Sequence, residues 1–287
     1  MSIIQVIVLA IIQGLTEFVP VSSSAHLILP GELLNWPDQG LAFDVALHIG
    51  SLLAVLIYFR NLVGDICISV LNFLRRKGSF DGNCRILLFM AVATIPCGLA
   101  GLLFDDLIEQ YLRGYQVIAF TTLFFAGLLL IAEYVSDRLR KNAHQVETME
   151  EGCVETANMT WRQVLWIGVA QALALIPGTS RSGITLTAGF FVGMSRRGAA
   201  CFSFLLSIPV IVLSGGLEFV KLIKGDAPGT ATLSDSLIGA FVSFVVSYLV
   251  IKFFMDFLNK FGILPYVIYR VLLGLFLVAL IGCGVLN

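Results

Sequence analysis

The chain has 287 residues, 58% of them hydrophobic and 13% charged, with a mean hydropathy of +0.93. Apolar residues in long runs exclude an ordinary soluble domain and predict an all-α integral membrane protein with the lipid bilayer as its surroundings. A net charge of −1 argues against nucleic acid as a partner. The six cysteines (67, 84, 97, 153, 201, 283) form no C-x-x-C pair, so most are expected to be small apolar packing residues, with disulfide and zinc readings weak. No basic region precedes the first apolar run, so no cleaved signal peptide is expected.

Residues 3–18 predict an apolar helix, broken by Pro20 and Ser22-Ser23-Ser24 before a second short helix at 25–34. Each piece falls short of the roughly 20 residues needed to span a bilayer. Together, 3–34 read as a re-entrant hairpin, which is tolerated at membrane depth where protein or a wet cavity surrounds it. Residues 43–59 read as a span. Residues 61–76 alternate polar and apolar groups at helical spacing and read as an interfacial helix, with a further span as the alternative. Spans follow at 86–104 and 116–134. The polar segment 136–160, with Arg138, Arg140 and Lys141 before an acidic patch from Glu147 to Glu155, reads as a loop. Residues 161–176 and 180–194 form a second pair of short helices around Pro177, the hairpin 161–194, and 199–220, 233–257 and 265–285 complete six spans.

The two hairpins look alike. Gln13 to Pro20 reads QGLTEFVP and Gln171 to Pro177 reads QALALIP; aligning the prolines sets Ser22 on Thr179, Ser23 on Ser180 and Ser24 on Arg181. Lys and Arg gather in cytoplasmic loops. Arg60, Arg75, Arg76, Lys77 and Arg85 therefore lie inside, Arg113 outside, and Arg138, Arg140 and Lys141 inside again, whereas Lys221 and Lys224 run against the rule. The expected architecture is an inverted-topology repeat of 1–135 and 161–287, each a re-entrant hairpin plus three transmembrane helices, with 136–160 a cytoplasmic loop.

The chemistry gathers at the hairpin tips. Gln13 and Glu17 share a helical face and suit a hard divalent cation, which prefers oxygen ligands. Ser23 and His26 lie within reach of each other as nucleophile and general base, although a serine after a proline also serves as a helix cap. Arg181, with Thr179, Ser180, Ser182 and Thr185, offers a donor fork for phosphate at a helix start. His48, on an apolar span, and His144, on the polar loop, are left outside the site, and Arg270 is expected to snorkel to the cytoplasmic interface. An anion clamp, a cation site and a Ser/His pair at membrane depth suggest phosphoryl chemistry on a lipid-borne phosphate; a transporter of an anionic substrate fits the same groups nearly as well.

These residues carry a resemblance. Gln13-Gly14-Leu15-Thr16-Glu17, Pro20-Val21-Ser22-Ser23-Ser24-Ala25-His26 and Pro177-Gly178-Thr179-Ser180-Arg181-Ser182-Gly183-Ile184-Thr185 resemble the (E/Q)-x-x-x-E, P-V-S-S-x-x-H and P-G-x-S-R-S-x-x-T motifs of the bacterial undecaprenyl-diphosphate phosphatases, also called bacitracin-resistance proteins. Gln at 13 stays within that pattern but is a weaker, neutral metal ligand. The resemblance runs over essentially the whole chain. It implies hydrolysis of a polyprenyl diphosphate lipid to the monophosphate carrier of peptidoglycan synthesis, in the bacterial inner membrane, at a site open to the extracytoplasmic side. It also implies a divalent cation, Mg2+ or Ca2+. Carried over, Glu17 and Gln13 handle metal and diphosphate, Ser23 or His26 the transfer, with Ser23 the expected nucleophile, and Arg181 with Ser180, Ser182 and Thr185 the phosphate. A flippase or transporter of the polyprenyl phosphate is the alternative, and a homodimer is allowed but not required.

Overall fold

The computed structural model describes residues 1–37, 39–141, 146, 148–223 and 230–286, without the side chains of 105, 106, 109, 219 and 221–223. His144, Glu147 and Lys224 lie outside the described residues, so the readings that touch them have no structural counterpart here.

The described chain is helical throughout. It begins with α1 (Ile3–Thr16) and α2 (Ser23–Leu34), two short helices around a break, followed by α3 (Leu41–Tyr58) and α4 (Arg60–Leu74). Next come α5 (Gly82–Tyr111), α6 (Tyr115–Leu139) and α7 (Met149–Ala157), then a second short pair, α8 (Trp161–Ala172) and α9 (Arg181–Phe191). The chain closes with α10 (Arg196–Ile223), α11 (Leu233–Phe261) and α12 (Leu264–Gly282). Polar caps set several starts: Ser2, Thr148, Thr160 and Thr232 each form a reciprocal capping box, and the Asp81 side chain accepts from the Cys84 amide. Among the described residues six helices are long and apolar enough to cross a membrane, within α3, α5, α6, α10, α11 and α12. The protein is thus a multi-pass, all-α membrane protein, and α4 is not among the six.

Helix pairing crosses the two halves of the chain. α11 packs on α1 and α3, α5 packs on α8, and α6 packs on both α9 and α12. Small residues permit the close crossings: a Cβ on Gly14 would stand 2.8 Å from that of Val246, and one on Gly168 would stand 2.8 Å from the Ala93 backbone. Beneath the breaks Phe18 meets Phe204 edge-on at 5.5 Å between ring centroids, and Phe204 leans on Phe254.

Each end of the bundle has its own fasteners. At one end Arg196 pairs with Glu133 (2.7 Å) and Asp137 (3.2 Å), Arg140 with Glu155 (2.6 Å), and Arg85 donates to the Met159 carbonyl just before α8. At the other end the Tyr115 hydroxyl donates to Glu32 on α2 (2.6 Å), and the terminal amine lies 3.6 Å from Asp235 on α11. The segment expected as a bare loop, 136–160, instead carries α7, which packs on α10. A Cys153–Cys201 disulfide joins these two helices, correcting the weak disulfide reading; the partners are 48 residues apart, a pairing that spacing alone does not reveal.

Candidate active site

The site is built where two helices stop early. In the first break Pro20 withdraws a backbone donor, and Ser22 sits at φ 73°, ψ 98° as the residue before α2. In the second, Pro177 is followed by Gly178 at φ 88°, and Ser180 takes φ 71°, ψ 116° as the residue before α9. Two serines in a sparsely populated left-handed region cost about 1–3 kcal/mol each, a strain that surrounding contacts must hold in place. Gly178 is obligatory: a Cβ there would lie 2.2 Å from Thr121 Oγ1 and 2.6 Å from the Ile118 carbonyl oxygen.

The matching serines revise the alignment of the two tips. Equivalence of the helix starts places Ser22 on Ser180 and hence Ser23 on Arg181, one residue away from the proline alignment, because the second break is one residue longer. Ser23 and Arg181 therefore open α2 and α9 as corresponding first residues.

Glu17 is the centre of the assembly. It closes α1, its amide donating to the Gln13 carbonyl, and its carboxylate is nearly buried. Arg181 donates to Oε1 at 3.0 Å; on Oε2 converge the Gln13 amide nitrogen at 3.0 Å and the Ser23 hydroxyl at 3.4 Å. The second guanidinium nitrogen of Arg181 donates to the Ser203 carbonyl on α10 at 2.9 Å, which fixes the fork. Residues 164 positions apart are thus joined by one part-buried ion pair.

Other expected residues take particular places. Ser23 and His26 lie side by side on α2, but Ser23 donates to Glu17, and both ring nitrogens of His26 bond elsewhere. A backbone carbonyl only accepts, so His26 Nδ1 donates to Ser22 O (2.6 Å), and in the neutral ring Nε2 accepts from the Tyr269 hydroxyl (2.6 Å). Ser180 accepts from the Gly183 amide as the cap of α9, Ser182 donates to the Val19 carbonyl across the two breaks, and Thr185 donates to the Arg181 carbonyl and contacts the Ser203 hydroxyl. The hydroxyls expected around phosphate therefore hold the tips to each other and to α10. The Thr179 side chain is fully buried, and its hydroxyl has no partner among the described residues.

Three residues escaped the sequence reading. Arg270, expected to snorkel, is 0% exposed; its guanidinium donates to the carbonyls of Pro20 (3.3 Å), Gly178 (2.9 Å), Thr179 (3.0 Å) and Thr122 (3.3 Å). Snorkelling fails because those break carbonyls need a donor inside the protein, and Arg270 supplies donors to both tips at once. Gly183 leaves room for it, since a Cβ would stand 2.8 Å from the Arg270 Nη1. His48, set aside as a packing residue, has Nε2 4.0 Å from Glu17 Oε2. Tyr269 was not singled out.

A divalent cation fits part of this donor set. Glu17 provides a carboxylate, and Gln13, fully buried, has a side-chain oxygen with no partner among the described residues. No group of three or more His, Cys, Asp or Glu side chains converges there or elsewhere among the described residues. Such a sparse set suits a cation that takes its remaining ligands from water and substrate phosphate.

Beside the tips, a groove of ≈ 1040 Å³ runs between α1, α11 and α12, walled by Leu15, Val19, Leu249, Phe253 and Phe257 and reaching His26 and Tyr269.

The family profile described as "Bacitracin resistance protein BacA" matches residues 6–276. An "Undecaprenyl-diphosphatase" of Teredinibacter turnerae is 52% identical over 96% of this chain and 98% of its own length. Proteins of the same name from Thioalkalivibrio sulfidiphilus and Campylobacter concisus are 49% and 47% identical, each match covering 98% of this chain and 99% of the relative. With its two broken helix pairs, its Glu17–Arg181 pair and a match across nearly its whole length, the chain belongs to the bacitracin resistance protein BacA family.

Proposed function

We propose that this protein is a membrane phosphatase that hydrolyses undecaprenyl diphosphate to undecaprenyl phosphate and inorganic phosphate, recycling the carrier lipid for peptidoglycan synthesis and conferring bacitracin resistance. The observation that carries this reading is the Glu17–Arg181 pair, part-buried where the two breaks meet, in a chain about half identical to full-length relatives named undecaprenyl-diphosphatase. The apolar groove beside it supports a long isoprenoid tail as the rest of the substrate.

In this reading Arg181, anchored on Ser203, presents its fork to the terminal phosphate. Ser23 Oγ attacks the terminal phosphorus as its bond to the bridging oxygen breaks and undecaprenyl phosphate leaves, while Glu17 Oε2, already its hydrogen-bond partner, receives the serine proton. Water then attacks the phosphoserine, freeing inorganic phosphate, and Glu17 returns the proton to Ser23 Oγ. The first-turn amides of α2 and α9 add positive potential at the tips. His26, tied to Ser22 and Tyr269, orients the turn that carries Ser23. Gln13 and Glu17 would hold the divalent cation, Mg2+ or Ca2+, which neutralises diphosphate charge and polarises the phosphoryl group when bound.

The architecture proposed is an inverted repeat of 1–135 and 161–287 with two re-entrant hairpins. Three things support it. α1 begins at the end of the bundle fastened by Asp235 and α8 at the end fastened by Arg85, each hairpin packs on spans of the opposite half, and both tips use a left-handed serine. The arginine-rich end is assigned to the cytoplasm of the bacterial inner membrane, so the first hairpin enters from the extracytoplasmic side and the site opens there. Purified protein releasing phosphate from undecaprenyl diphosphate, with EDTA stopping the release, is the expected result; a wild-type preparation that binds the lipid without releasing phosphate would overturn the reading.

A further inference from the structure

We propose that His48 is the nitrogen ligand of the divalent-cation site, acting with Glu17 and Gln13; this rests on the cation reading given above. His48 lies on α3, and its Nδ1 donates to the Asp44 carbonyl one turn earlier at 2.8 Å. In the neutral ring that bond places the proton on Nδ1 and leaves the Nε2 lone pair facing outward, the arrangement by which metal-binding histidines are oriented. What it faces is Glu17 Oε2, 4.0 Å away.

This gap is too long for a hydrogen bond; a protonated ring meets the carboxylate across it as an ion pair, and a neutral ring meets it with room for a cation between. Two metal–ligand bonds of about 2.0–2.4 Å span it. The Gln13 carboxamide lies against the same carboxylate oxygen, and turning it over presents its unpartnered Oε1 to the same point. The carboxylate divides its work: Arg181 occupies Oε1, and the cation position lies on the Oε2 side, next to the Ser23 hydroxyl.

Charge supports the same assignment. Glu17 and Arg181 alone sum to zero and give a diphosphate no net attraction. A divalent cation added through the neutral ligands Gln13 and His48 leaves the Glu17–Arg181 pair balanced, so the site as a whole gains the cation's charge and attracts the substrate. The mixed nitrogen and oxygen set favours an ion that accepts both, such as Mn2+, over Ca2+.

The test uses Mn2+ as the probe with the full-length protein in zwitterionic nanodiscs. Pulsed electron paramagnetic resonance detects the 14N coupling of a directly bound imidazole, and the chain has three histidines to distinguish. A 14N signal is expected in wild type, His26→Gln and His144→Gln, and its loss in His48→Gln, with Mn2+ affinity falling by about tenfold or more. Uniform 15N-histidine labelling of wild type must convert the signal without any substitution, so a poorly folding variant does not blunt the test. Mn2+ bound with no nitrogen coupling, or a coupling that survives in His48→Gln, overturns the assignment while leaving the cation reading intact. Absence of Mn2+ binding to wild type overturns both.

Discussion

Replacing Arg270 by alanine removes the donors shared by the two helix breaks while leaving every group proposed to touch phosphate in place. Thr122 O lies inside α6 and keeps its helical partner, and the Gly178 carbonyl keeps a long bond from the Thr122 hydroxyl (3.5 Å), but the carbonyls of Pro20 and Thr179 lie in the breaks and lose the donors Arg270 gives them. An orphaned buried carbonyl costs about 1–3 kcal/mol, so two of them destabilise the tips by about 2 kcal/mol at the low end. Because Ser22 and Ser180 are strained, that loss is expected to let both turns relax. A displacement of about 1 Å between reacting groups costs about a hundredfold in rate. Arg270→Ala is therefore expected to lower kcat by about that factor, with a clear drop in thermal stability in detergent. Arg270→Lys, with a single ammonium, restores only part of both. Phosphate release and the unfolding midpoint, measured on the same preparations, decide the matter. Wild-type kcat and midpoint in Arg270→Ala would refute the idea that this arginine braces the site.

Arg181→Ala should cut kcat/KM by about a thousandfold or more, the scale of losing an arginine at a phosphoryl transition state, and Arg181→Lys should recover little of it in the same phosphate-release assay. Gly178→Ala forces a Cβ to within 2.2 Å of Thr121 Oγ1 at a left-handed φ, so a collapse of folded yield by size-exclusion chromatography is expected. Tyr269→Phe removes one hydrogen bond from His26, worth about 1 kcal/mol, and should lower kcat by less than about tenfold. A cysteine placed at Ser24, which is exposed at the first tip, should react with a membrane-impermeant maleimide added outside intact cells, and labelling only after permeabilisation would reverse the proposed orientation.

Much of this arrangement was legible because its signals are local. Hydropathy runs marked the six long helices, and Pro20 and Pro177 marked the breaks, since a proline acts on its own backbone. The Glu17 and Arg181 tips stood out because charge in an apolar region is costly. Arg270, His48 and Tyr269 were hidden for a common reason: each acts on a residue far away in the chain, and nothing in its own neighbourhood announces the partner. The one-residue shift between the tips was missed because Gly178 lengthens the second break, and proline alignment ignores backbone conformation. α7 and Cys153 fell inside a polar stretch whose composition resembles a loop, and the disulfide partner Cys201 lies 48 residues away on α10.

The account stands on Glu17 and Arg181 acting as one unit across the two breaks. Phosphate release from undecaprenyl diphosphate by wild type, Glu17→Ala, Arg181→Ala and the double variant tests it most directly. Groups that act together are strongly non-additive. The account predicts that each single variant loses about a hundredfold or more in kcat/KM and that the double variant loses little beyond the worse single one. Wild-type activity in either single variant, or losses that multiply in the double, would contradict it.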